Sequence, residues 1–265
     1  MADGRHAVSL ISPLAATGRA DEVVQRVSQA IQLGLFTDGE QLPPETEFAA
    51  QLGVSAMTLR EALAALREQG LVETRRGRTG GTFVRRPTTP PVEAIRDRLR
   101  ATSASALRDL TDEQFAVSGG AARFAAARAT LGDLRRLYAL ADQLSAATTL
   151  GSCIRADSRF HIEVAIAAQS ERLTRLEVAL QTDLAELLWL PPETETAAPA
   201  APVKTGAVDV VRPLDPVAVA AEHAAITAAI AARDGDAARL LAERHVQRNL
   251  HHLTELRHQV TPRRA

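Results

Sequence analysis

The stretch Gly53-Val-Ser-Ala-Met-Thr-Leu-Arg-Glu-Ala-Leu63 decides how the first third of the chain is read. Gly53 turns the backbone, and Ser55 offers a side-chain oxygen to the free amides that begin a helix. Leu59, Leu63 and Leu66 then recur at helical spacing, so a helix is expected over 56–69, ended by Gly70. Working backward, Leu42-Pro43-Pro44-Glu45 opens a shorter helix over 45–52, since proline suits a first turn and acids suit its positive end. Earlier still, Val23, Val27, Ala30 and Ile31 share one face of a helix over about 22–33. Gly34 closes it, where a left-handed residue is usual. Working forward, residues 71–76 and 82–86 read as two strands around Gly77-Arg-Thr-Gly-Gly81. Two short helices joined by a three-residue turn, with a hairpin behind them, make a winged helix-turn-helix over 21–86.

Burying those leucines leaves Ser55, Met57, Thr58 and Arg60 at the start of the third helix to meet a major groove of double-stranded DNA. Arg60 can give two parallel bonds to guanine or grip a phosphate. In the hairpin, Arg75, Arg76, Arg78, Arg85 and Arg86 form a positive strip with no acid after Glu73, suited to backbone phosphates. Gly80 and Gly81 permit close approach to a minor groove. The basic surface is local, because the whole chain carries a formal charge of −1.

Composition bounds the rest. The 265 residues are 46% hydrophobic and 24% charged, ordinary globular values that exclude global disorder. Aromatics are only 3%, while alanine runs recur through 101–148 and 218–242, so a core of closely packed helices is expected. A single cysteine, Cys153, excludes an intrachain disulfide and a thiolate-cluster metal site. The apolar stretch from Ala7 to Ala16 is broken by Ser9, Ser12 and Pro13, too short and interrupted for a secretion signal. No run approaches the ~18 apolar residues of a membrane span, so a cytoplasmic protein with no membrane partner is expected. Residues 1–20 read as a tail and the proline-rich start of 87–105 as a linker. A helical domain is expected over 106–258, interrupted by a proline-rich loop insertion at 191–216, with a second tail at 259–265.

That helical region carries a constellation of ligand-type side chains. Asp157 and His161 are four apart, which stacks carboxylate and imidazole on one helix face, as two ligands of one ion require. His223 and His245 flank the turn Arg233-Asp-Gly-Asp236, and a reversal halfway between two helical histidines returns them to similar depth in an antiparallel bundle. Three neutral imidazoles and one carboxylate suit a borderline divalent ion such as zinc, nickel, manganese or iron, with coordination positions left open. His6, His251, His252 and His258 fall in a tail or in polar last turns and are read as ordinary polar residues, not ligands.

The residues quoted so far also carry a resemblance. Ile31-Gln-Leu-Gly34, Gln41-Leu-Pro-Pro-Glu-Thr-Glu47, the stretch from Gly53 to Leu63 and Gly80-Gly-Thr-Phe-Val84 resemble the GntR-type regulators. The resemblance implies a two-fold homodimer on a short palindromic operator, with the third helix in the major groove and the wing tip in the minor groove. Glu45 and Thr46 then join the expected DNA-facing set. Thr46 and Ala56 stand where that family has DNA-contacting arginines, whereas Arg60 is kept; at ~1–3 kcal/mol per base contact, this implies weaker binding or a different operator.

Asp-x-x-x-His from Asp157 to His161, Glu222-His223 before Ile226, and His245 a helix pair later resemble the ligand set of the FadR-like effector domain, called FCD. This implies an antiparallel bundle of six or seven helices and a mostly α-helical protein. It also implies a metal whose open positions take a small-molecule effector, usually a carboxylate. Counting along the first long helix of that domain, Gln114 and Ser118 stand where the family has a basic and an acidic residue beside the effector. Without the arginine a carboxylate is held less firmly, so the effector is expected to be smaller, neutral, or held mainly by the metal.

The reading is therefore a ligand-responsive DNA-binding regulator, a repressor, and not an enzyme. Two competitors differ in class. In one the ion itself is the effector and the protein is a metal sensor. In the other, the open coordination sphere activates water for hydrolysis; Glu163 and Glu222 are sequence neighbours of the ligands, but Glu163 is two positions from His161 and points elsewhere on the helix.

Overall fold

The computed structural model describes residues 20–77, 80–86, 90–192 and 213–261. The first tail, Arg78, the opening of the linker, the body of the insertion and the last four residues lie outside them. Ten helices and one two-stranded sheet are present among the described residues, and the protein is mostly α-helical as its composition predicts. Two compact units divide the chain, one built around the elements before residue 90 and one around the later helices.

In the first unit, α1 (Ala20–Gln32) buries Val23, Val27, Ala30 and Ile31. Gly34 follows at φ 72°, a left-handed conformation that glycine adopts without a side-chain clash. The second helix, α2 (Glu45–Leu52), begins just after Pro44, and Gly53 ends it at φ 69°. The third, α3 (Ala56–Glu68), starts under a Ser55 cap whose hydroxyl accepts the Thr58 amide at 3.1 Å. Leu59, Leu63 and Leu66 pack with Phe48 and Leu52 in a fully buried core. Strands β1 (Val72–Arg75) and β2 (Gly81–Val84) pair antiparallel, with Val72 opposite Val84 and Arg75 opposite Gly81. The ladder is shorter than the sequence suggests because the Arg86 amide turns away to Asp38. A third edge is added at residues 40–42, where the Leu42 amide bonds Thr82 and the Val84 amide bonds Glu40, each at 2.8 Å.

The later helices are α4 (Val92–Ala101), α5 (Ala104–Arg128), α6 (Leu131–Ser145), α7 (Leu150–Ala167), α8 (Glu171–Leu188), α9 (Pro216–Ala231) and α10 (Gly235–Val260); all belong to the second unit except the start of α7, which through Arg159 belongs to the first. Their starts are written locally. Ser103, Ser170, Asp215 and Asp234 each accept a first-turn amide, and Thr130 with Asp133 forms a reciprocal capping box. Helix α5 packs mainly on α10, and α6 on α9. Their shared core sets Ala121, Ala122, Ala125 and Ala126 against Ala165, Ala168, Ile230, Ala238 and Ala242, with Phe160 its aromatic member. Small side chains let the helix backbones approach closely, and this is where the alanine runs are used. At the α9–α10 turn Arg233 takes φ 60°, and its guanidinium donates to the carbonyls of Ala126 and Ala129, pinning the turn to the end of α5. No helix among the described residues is long and apolar enough to cross a membrane.

Candidate metal centre and nucleic-acid interface

Helix α7 presents Asp157 and His161 one turn apart, α9 presents His223, and α10 presents His245. The turn at 233–234 folds α10 back on α9, so two histidines distant in sequence reach one depth. Each of the four offers a ligand atom, and these atoms lie within 4.8 Å of one another. The three imidazole rings form a near-regular triangle, with centroid separations of 5.0, 5.1 and 5.2 Å. All four side chains are buried, at 2%, 6%, 0% and 2% exposure for Asp157, His161, His223 and His245. Phe160 stacks on His223 at 3.8 Å with the rings 6° from parallel, which fixes the plane of that imidazole.

The donor set fits a divalent ion. Nitrogen and carboxylate ligands sit about 2.0–2.2 Å from zinc, so converging atoms of this type are what one ion needs. Gathering a carboxylate and three imidazoles away from water is expensive unless a charge compensates it. Around this layer lies another that the sequence reading did not assign. The Glu222 carboxylate is 2.8 Å from His245 Nδ1 and forms an ion pair with Arg248. With Nδ1–H donating to Glu222, the lone pair of His245 sits on Nε2 and the ring is held in place. Asn249 Nδ2 stands 3.2 Å from that Nε2. The signal for Asn249 was available, since it lies one helical turn from His245. Glu163 is buried and forms an ion pair with Arg136, which employs it structurally.

Gln114 and Ser118, on α5, are both buried, and Gln114 is 0% exposed. Ser118 donates to Glu177 Oε2 at 2.9 Å, and Gln181 donates to Glu177 Oε1 at 2.9 Å. Glu177 carries no local sequence signal for this bond, because Ser118 lies on a different helix 59 positions away, and Gln181 joins through Glu177 one turn along its own helix. His252 corrects an expectation. It is 7% exposed and not a surface residue of a polar last turn, because the inward stripe of α10 continues through Asn249, His252, Leu253 and Leu256. Burial lowers its pKa below the ordinary histidine value, opposed by a bond to the Leu188 backbone.

On the first unit, Ser55, Met57 and Arg60 are exposed and Thr58 half-buried at the start of α3, with Met57 67% exposed. Such an apolar side chain in water is a candidate for contact with a partner. The exposed Arg60 guanidinium pairs with Glu45 at 2.8 Å, joining two of the expected DNA-facing residues to each other. Thr46 is exposed beside the half-buried Glu45. In the hairpin, Arg75 and Arg85 pair with Glu73 at 2.6 and 2.9 Å, and Arg75 lies over the Phe83 ring. The hydrogen bond from Arg75 holds the Glu73 carboxyl below its usual pKa. Arg76 is exposed. Gly80 has a reason of its own: a Cβ there would lie 2.6 Å from the Arg75 carbonyl, so the hairpin closes only around glycine. Gly81 is hemmed by Gln41, whose amide donates to the Gly80 carbonyl at 3.1 Å.

A winged helix with an arginine-bearing hairpin, joined in one chain to a helical domain with a buried ligand-type cluster, defines a ligand-responsive DNA-binding transcription regulator. The chain belongs to the GntR family: the model of gntR-family bacterial regulatory proteins matches residues 19–84, and that of the FCD domain matches 109–248. It is 41% identical over 237 residues to RmpR of Mycobacterium gastri, named as an HTH-type transcriptional regulator, covering 89% of this chain and 81% of that protein. It is 33% identical over 144 residues to the Uxu operon transcriptional regulator of Escherichia coli, covering 53% of this chain and 55% of the other. Among solved structures, Escherichia coli McbR/YncC shares the fold with a TM-score of 0.50 at 16% identity, over 89% of this chain and 96% of that one.

Proposed function

We propose that this regulator binds a palindromic operator as a homodimer, represses transcription there, and is released or engaged by a small organic acid that needs a metal ion to bind. Asp157, His161, His223 and His245 hold the ion, which is zinc, nickel, manganese or iron. The ion supplies a Lewis-acidic position for a carboxylate. Gln114 and Ser118 line the effector side of the site. Glu222 orients His245, and Phe160 orients His223. On the DNA side, Arg60, Met57, Thr58 and Ser55 face the major groove, with Glu45 and Thr46 beside them. Arg75, Arg76, Arg78, Gly80 and Gly81 form the wing contacts. Two-fold symmetry of the protein matches two-fold symmetry of the operator.

The observation that carries this reading is the convergence of four buried ligand atoms within 4.8 Å in a chain that also bears an exposed helix-turn-helix face. Against the hydrolase alternative, the two acids beside the ligands in sequence are engaged elsewhere: Glu163 pairs with Arg136, and Glu222 with Arg248 and His245. The test is DNA affinity on the region upstream of the protein's own gene, measured by fluorescence anisotropy with chelator, with metal, and with metal plus organic acids. A change that requires both metal and acid supports the proposal. A tenfold change from the ion alone, to which no acid adds, makes the protein a metal sensor.

A further inference from the structure

We propose that Glu73 is a specificity residue of the wing: its carboxylate clasps Arg75 and Arg85 and keeps them off DNA of arbitrary sequence until α3 has seated in its groove. This rests on the DNA-facing assignment of the hairpin above. As a sequence the hairpin offers five arginines to phosphates, but the fold engages several of them inside the protein. Arg78 lies outside the described residues. The Arg86 amide donates to Asp38 Oδ1 at 2.8 Å and its guanidinium donates to the Phe36 carbonyl, so that side chain is committed to the connection between α1 and α2. Burial brings its pKa down to about 10. Arg75 reaches Glu73 Oε1 with Nε at 2.8 Å and Nη2 at 2.6 Å. Arg85 Nε takes the other oxygen, Oε2, at 2.9 Å. One carboxylate thus occupies two guanidiniums.

The clasp follows from the register of the sheet. Glu73 stands opposite Phe83, and side chains directly opposite in an antiparallel pair share one face. Arg75 is two residues along the same strand and Arg85 two beyond Phe83 on the other, so both flank Glu73 on that face. The Arg85 amide extends the ladder with a 2.8 Å bond to the Leu71 carbonyl. Phe83 is 9% exposed, and the Arg75 guanidinium lies 4.2 Å from its ring centroid, a second hold on that arginine. The Arg75 and Arg85 side chains remain 54% and 59% exposed, so both pairs stand in water. Exposed pairs are weak enough for well-placed phosphates to displace the carboxylate. DNA of arbitrary sequence offers no base contacts, and its hold on a protein is electrostatic. There the clasped arginines release no counterions, and the charge of Glu73 repels phosphate. On an operator the base contacts of α3 fix the register of the module on the backbone, and the hairpin meets phosphates at close range. Glu73 therefore disfavours wrong sequences more than the right one.

The test is fluorescence anisotropy of the full chain and of Glu73→Gln across a salt series. The probes are the region upstream of the protein's own gene and a scrambled fragment of the same length and composition. The variant keeps the side-chain shape and removes the charge. On scrambled DNA its affinity is expected to rise at least about fivefold at roughly 0.15 M salt. The slope of log affinity against log salt should steepen by about 2 for each wing that engages, since each phosphate neutralised contributes about 0.9. On upstream DNA the rise is smaller, so the preference for that fragment falls at least about threefold. Adding Arg75→Gln and Arg85→Gln to the variant returns the slope on scrambled DNA to the wild-type value, which a folding defect would not do. Glu73→Thr, which suits a strand, takes the place of Glu73→Gln if the latter does not fold. An unchanged slope on scrambled DNA, or an equal rise on both fragments, overturns the inference while leaving the helix-turn-helix reading standing. Wild-type protein that binds both fragments alike overturns the operator reading, and the slope on scrambled DNA then judges the clasp by itself.

Discussion

His223 is held twice, by Phe160 stacked on its face and by its place on the one face of α9 that reaches the other ligands. His223→Ala removes a proposed ligand and the ring that stacks on Phe160. Metal content, read by elemental analysis of purified protein, is expected to fall by at least half, while chelator-treated wild type and variant bind operator DNA alike. A ligand present at 100 times its dissociation constant stabilises a fold by about 2.7 kcal/mol, roughly 5–10 °C in melting temperature for a protein of this size. That gain on adding metal should disappear in the variant. Arg60 is exposed, and its bond to Glu45 is a surface pair worth about 0–1 kcal/mol, weak enough to exchange for a base or phosphate. Arg60→Ala is expected to lower specific DNA affinity about tenfold or more at constant salt, with stability unchanged within about 0.5 kcal/mol. His252 gives a pH signature. Its pKa is lowered by burial, so the folded chain resists a proton that the unfolded chain accepts near pH ~6.5. Its contribution is present above that value and lost as pH falls below it. His252→Leu should therefore lose less stability than wild type between pH 7.5 and 5.5, read as urea midpoints in the presence of chelator.

The elements were legible where their ends are written in side chains. Ser55, Gly53 and Gly34 mark boundaries by capping and by left-handed backbone, and the three helices of the first unit fall where those residues place them. The pieces that escaped have no such marks. The edge at residues 40–42 makes only two sheet bonds, too few to leave a periodic pattern, and the inward stripe of α10 past His245 is disguised by arginines and histidines around it. The clustering of Asp157, His161, His223 and His245 was readable because i, i+4 spacing and a turn midway between two histidines are local facts. Glu177 was not, because its role depends on which helix lies beside it. Helix α5 offers a test at this scale. Gly120 sits mid-helix with nothing within 4 Å of a Cβ added there, whereas at Gly119 the added Cβ would meet Glu243 at 3.0 Å. Gly120→Ala should stabilise the protein by about 1 kcal/mol, or roughly 2–4 °C in a thermal melt, and Gly119→Ala should gain less or lose.

At the scale of the whole molecule, a net charge of −1 hides a division of labour: the arginines of the hairpin are local, and the buried acids and histidines are local elsewhere. Regulation requires that the effector favour one DNA-binding state of the protein over the other, and a tenfold change in affinity corresponds to about 1.4 kcal/mol of such preference. The direct measurement is the anisotropy titration of upstream DNA with metal-free protein, zinc-loaded protein, and zinc-loaded protein with a panel of small organic acids. At least a tenfold difference between the last two, absent when zinc is removed, is the predicted result. Equal affinity in all three states would contradict the account.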